Sequence, residues 1–67
     1  MAQIGQTYRF NSKSPVIRLL NGHRAVVLKL LSREDGRASY FIRFQSGRQE
    51  VAFEDELIAL GIAEPDH

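Results

Sequence analysis

The chain has 67 residues, no cysteine and a net charge of +1, which limits it to one domain without disulfide staples. A chain of this size buries only about 60% of the surface its unfolded form exposes, so its thin core needs well-packed apolar side chains or a partner subunit. The longest uninterrupted apolar runs, Ala25–Leu28 and Leu57–Leu60, are too short to cross a bilayer. With no cysteine and no basic segment followed by an apolar one at the N-terminus, no export signal is read and a cytoplasmic setting is expected.

In chain order, a first strand is expected at Tyr8-Arg9-Phe10, with Asn11–Pro15 as the loop after it. Residues 14–22 admit two readings. Ser14 as N-cap, Pro15 at the first position and Gly22 past the end would suit a short helix. An extended segment running into an Asn21-Gly22 hairpin is the rival, and the preferred one. Across 24–32, Val26, Leu28 and Leu30 share one strand face and Ala25, Val27, Lys29 and Leu31 the other. Both faces are largely apolar, so periodicity does not separate strand from helix. The valine pair and the flanking Asn21-Gly22 and Asp35-Gly36 turns favour a strand.

Ala38, Tyr40, Ile42 and Phe44 alternate with Ser39, Phe41, Arg43 and Gln45, which predicts a strand with one apolar face. After Ser46-Gly47 the alternation resumes through Gln49, Val51 and Phe53, completing a hairpin. Glu54, Asp55 and Glu56 would complement the positive end of a helix dipole. Leu57, Ile58 and Leu60 would form the apolar stripe of that helix and Gly61 its stop. The expected fold is mainly β: a small barrel of four to five antiparallel strands with a short C-terminal helix. Residues 1–62 form the single domain and 63–67 a flexible tail.

The charges are sorted by position. All nine Lys and Arg lie within residues 1–48 beside only Glu34 and Asp35, a balance of +7. Residues 49–67 hold six acids and no Lys or Arg, a balance of −6. This suggests a basic face for an anionic partner, with an acidic segment that covers it within the molecule or pairs with a neighbour.

The order of signals resembles an SH3-like small β-barrel, the architecture of Tudor, KOW and related modules. Four stretches carry the likeness: Ile4–Phe10 as the opening strand, Gly22–Val27 as the Gly-led second strand, Tyr40–Gly47 as the third strand and its turn, and Val51–Leu57 as the closing strand and short helical turn. A KOW-type motif has a second glycine where this chain has Ala25. Small barrels host many roles, so the resemblance implies a binding module without naming its ligand.

No catalytic role, cofactor or metal is expected. His23 and His67 are the only histidines, and no second ligand stands at metal spacing from His23. Glu54, Asp55 and Glu56 read more simply as a charged helix start than as catalytic carboxylates. The first functional expectation is nucleic-acid binding: Arg9, Arg18, Arg24, Arg37, Arg43 and Arg48 would neutralise RNA or DNA phosphates while Tyr8 and Phe41 stack on bases. The competing reading is that outward strand positions carry charge in any sheet and protect its edges. The second expectation is a protein-interaction or assembly module, with Val27 and Leu31 outside the core, Glu54, Asp55 and Glu56 as an acidic surface, and a homo-oligomer as the result. An enzyme whose site forms only between subunits is the remotest reading.

Overall fold

Along the third strand, Ala38, Tyr40, Ile42 and Phe44 all lie buried on one face, as their alternation implies. The computed structural model describes residues 2–60. Within them, β1 (Thr7–Phe10), β2 (Arg24–Glu34), β3 (Arg37–Phe44), β4 (Gln49–Phe53) and β5 (Leu57–Ala59) form one antiparallel sheet in the order β4-β3-β2-β1-β5. Phe10, Ala25, Val27 and Ala52 complete the core, and Phe10 meets Phe44 edge to face at 5.4 Å between ring centroids. The predicted strands at 8–10, 24–32 and 38–45, and the hairpin to 49–53, are all present. The proposed tail and the stop at Gly61 lie outside the described residues.

Turn chemistry explains the connections. Asp35 and Gly36 have φ of 54° and 75°, so both central residues of the β2–β3 turn are left-handed, as a two-residue hairpin demands. Asn21 has φ −60° and ψ 138°, and Gly22 has φ +90°. That is a type II turn, closed by His23 N–H donating to the Leu20 carbonyl at 3.1 Å. Residues 15–21 are therefore not the expected extended segment. They turn and form a 3-10 turn at Arg18–Leu20, nearer to the helical alternative that Ser14-Pro15 suggested.

The predicted C-terminal helix is absent among the described residues. Glu54–Glu56 make a single 3-10 turn, and Leu57–Ala59 continue as β5 beside β1. The open edge of β1 offers Leu57, Ile58 and Ala59 immediate pairing with Phe10, Arg9 and Tyr8. A helix begun there would carry the unfavourable cost of nucleation over a very short run.

The sheet is strongly curled but not closed. β4 and β5 are its two edges, which a flat sheet of this order would hold about 19 Å apart. The chain from Phe53 to Leu57 spans at most about 14 Å even when extended, so the edges must bend towards each other. The 3-10 corner keeps them from running side by side, and β4 and β5 do not pair.

Two register shifts in β2 revise its faces. Val27 lies opposite Ile42 but Lys29 opposite Phe41, and Leu30 opposite Tyr40 but Ser32 opposite Ser39. Leu28 and Leu31 are thus bulge residues, and alternation restarts after each. Val27 is fully buried in the core, not outside it as expected, because it shares the face of Ile42. Leu31 is 43% exposed on the part of the hairpin that projects beyond the core.

Tyr40 ties the core to the corner, its phenol donating to Glu54 Oε1 at 2.8 Å. Burial raises the Tyr40 pKa above the ordinary 10.0, and the hydrogen bond to Glu54 raises it further. The folded state therefore favours the neutral phenol, and this contribution to stability is complete below pH 10 and lost as pH rises through the raised pKa. Alkaline unfolding followed by circular dichroism is expected to begin above pH 10, and Tyr40→Phe should shift it to higher pH.

Candidate nucleic-acid interface

Residues directly opposite one another in an antiparallel pair project from the same face. The register therefore assembles the outer face, opposite the core, from named positions. Arg43 lies between Val26 of β2 and Gln49 of β4, Val26 also faces Thr7, and Arg24 faces Arg9 of β1, whose other neighbour is Ile58. Arg24 is thus the direct neighbour of Arg9 and the diagonal neighbour of Arg43. Cβ separations for such pairs are about 5 Å and about 7 Å respectively.

Arg24 and Arg43 border a cleft of about 310 Å³, together with Thr7, Val26, Gln45 and Gly47. Both arginines are exposed, and among the described residues neither has a carboxylate partner. Like charges placed directly opposite, as Arg9 and Arg24 are, destabilise a sheet.

The other predicted contacts divide. Arg37 Nη2 donates to Asp55 Oδ1 at 2.9 Å and Oδ2 at 3.2 Å, and its guanidinium carbon lies 3.9 Å from the centroid of the Phe53 ring. The hydrogen bond from Arg37 holds the Asp55 carboxyl below the ordinary 3.8. Arg48 Nε donates to Glu50 Oε2 at 2.7 Å. Arg18 sits on the first 3-10 turn, away from these strands in sequence and off their ladder. Phe41 is half-buried on the outer face between Lys29 and Val51.

Tyr8 is a correction. It shares the core side with Phe10, packs against the core, and its hydroxyl accepts the Gln3 N–H at 2.7 Å. Strand alternation that turns Arg9 outward necessarily turns Tyr8 inward, so it offers no stacking ring beside Arg9.

The acidic trio is also used internally. Glu54 accepts from Tyr40, Asp55 from Arg37, and Glu56 from Ser12 Oγ at 2.6 Å and the Phe53 N–H at 3.0 Å. A partner surface made of these side chains would have to break those bonds. Sequence reasoning missed Lys29, Thr7 and Gln45, which the bulge and the cleft bring to the arginine face. It also missed the Arg37–Phe53 stack, which depends on pairing between β3 and β4.

Among the described residues no group of three or more His, Asp or Glu is arranged to hold a metal ion, and no helix is long and apolar enough to cross a membrane. No protein-family model matches the chain, and no curated protein or solved structure matches it significantly.

Proposed function

We propose that this chain is a non-enzymatic binding module of the SH3-like small-barrel type whose outer face grips the phosphate backbone of a nucleic acid. The strand order β4-β3-β2-β1-β5, with a 3-10 turn before β5, supports the barrel reading. The observation that carries the ligand reading is the cleft flanked by Arg24 and Arg43, neither with a carboxylate partner among the described residues, with Arg9 opposite Arg24. Backbone phosphates suit such a row because binding releases counterions without requiring base-specific contacts.

The test is titration of a labelled oligonucleotide at several salt concentrations. Arg24→Gln with Arg43→Gln should weaken binding and make the logarithmic salt slope shallower by roughly 1.5, since each phosphate contact contributes about 0.7–0.9. Absence of any binding at low salt by the unaltered protein would refute the proposal.

A second reading, self-association or protein binding, is favoured by Val51 and Phe53, 48% and 38% exposed on the outer face of edge strand β4. It ranks lower because the acidic side chains that would accompany it are already engaged. Sedimentation checks it: a stable dimer dispersed by Val51→Ser would support it.

A further inference from the structure

A face that grips phosphates can serve either a single strand or a duplex. Resting on the nucleic-acid reading, we infer that the outer face takes a single strand, with one base stacking on the Arg37 guanidinium and another on Phe41, while Arg24 and Arg43 hold the backbone.

Arg37 is already one layer of a stack. Its guanidinium lies 3.9 Å above the Phe53 ring and is held in place by Asp55. The side chain is still 53% exposed, so surface remains for a further flat layer. Its charge is matched by Asp55, which makes it a poor ligand for a phosphate. Guanidinium planes and phenyl rings are the surfaces on which unpaired bases stack.

The placement along β3 adds a second, independent observation. Arg37, Ser39, Phe41 and Arg43 alternate on the same face. Ser39 is small and buried, its hydroxyl paired with that of Ser32 at 2.9 Å, so its own side chain does not stand between Arg37 and Phe41. Lys29 stands directly across from Phe41. The track from Arg37 to Arg43 is about 20 Å long at the usual strand rise, and it passes from two stacking surfaces to the arginine cleft. A duplex keeps its base faces covered by neighbouring pairs, so it would touch only the cations. A single strand uses the whole track.

The experiment compares a fluorescently labelled single-stranded oligonucleotide with a duplex of the same length and salt. The single strand should bind about tenfold tighter or better, because each base stacked on a platform contributes at least about fivefold. Arg37→Lys keeps the charge and removes the plane. Phe41→Leu keeps apolar bulk and removes the ring. Each should weaken single-strand binding about fivefold or more, leave the salt slope unchanged and leave duplex binding unchanged. Circular dichroism of each variant guards against loss of fold.

Equal or tighter binding of the duplex overturns this inference while leaving the phosphate reading intact. So does a salt slope reduced by a full contact in Arg37→Gln, which would make Arg37 a phosphate ligand. Failure of both nucleic acids to bind at low salt overturns the underlying reading too. A dimer lost in Phe41→Leu, without nucleic-acid binding, would assign the face to a second copy of the chain.

Discussion

Phe10→Ala is expected to leave most of the protein unfolded at room temperature. Phe10 is fully buried at the end of β1, where β1 pairs with β5, and its ring meets Phe44 edge to face. Truncating a buried phenylalanine costs about 3–5 kcal/mol, and a lost aromatic pair adds about 0.5–1.5 kcal/mol. A single core in a domain of this size rarely supplies more than about 3–5 kcal/mol in all. The loss therefore equals or exceeds the whole stability. Leu19→Ala provides the contrast: Leu19 is 86% exposed, and a surface change of this kind stays within about 0.5 kcal/mol. Urea titration followed by circular dichroism measures both. A cooperative Phe10→Ala transition with a midpoint near that of the unaltered protein would contradict a core centred on this ring.

The parts of the fold legible in the sequence are those whose causes are local. Tyr40, Ile42 and Phe44 alternate with polar or outward residues, and alternation alone assigned their face. Asp35-Gly36 accepts two positive φ values, so the dipeptide marks its own turn. The second strand was legible as a strand but not in its faces. Apolar residues occupy both parities there, and bulges at Leu28 and Leu31 are set by pairing with β3. The end of the chain misled for a related reason. Three consecutive acids satisfy the rule for a helix start, yet Glu54, Asp55 and Glu56 are held by Tyr40, Arg37 and Ser12, all distant in sequence. Their chemistry is tertiary, and no local pattern distinguishes it. Glu56 following Phe53 by three residues is half of a capping box, a helix-start signal that reinforces the same misreading.

The candidate site was legible as a charge surplus but not as an arrangement. The alternation around Arg9 put its side chain outside, while the opposition of Arg9 to Arg24 needed the β1–β2 register. Arg37 and Arg48 looked equivalent to Arg24 and Arg43 in composition. Pairing with Asp55 and Glu50 separates them. Part of the acidic segment therefore acts within the molecule, consuming two cations and leaving the cleft pair as the more available charges.

Glu56→Ala is expected to be the most damaging change among the polar residues, at about 3 kcal/mol, because hydrogen bonds to a carboxylate are worth about 1.5–3 kcal/mol each. Its two carboxylate oxygens accept from Ser12 Oγ and from the Phe53 N–H, while its carbonyl accepts the Asn11 N–H at 2.9 Å. Ser12 is only 4% exposed. It also exchanges bonds with Asn21, donating its N–H to Oδ1 at 2.7 Å and accepting from Nδ2 at its carbonyl at 2.9 Å. One carboxylate therefore fastens the corner before β5 to the loop after β1 and, through Ser12, to the type II turn before β2. Removing it leaves a buried hydroxyl without its acceptor. Ser12→Ala should be milder: it removes the hydroxyl donor along with its need for an acceptor, and otherwise loses only the 3.1 Å bond that Ser12 Oγ accepts from the Ser14 N–H. The double variant should then be less destabilised than the two single changes together, the mark of residues acting as a pair. Urea titration of all four proteins measures the coupling, and strict additivity would show that the bond contributes nothing. Glu56 also adjoins Asp55, which orients Arg37. If the corner positions the stacking surface, folded Glu56→Ala protein at low temperature should lose single-strand affinity while keeping the salt slope set by Arg24 and Arg43.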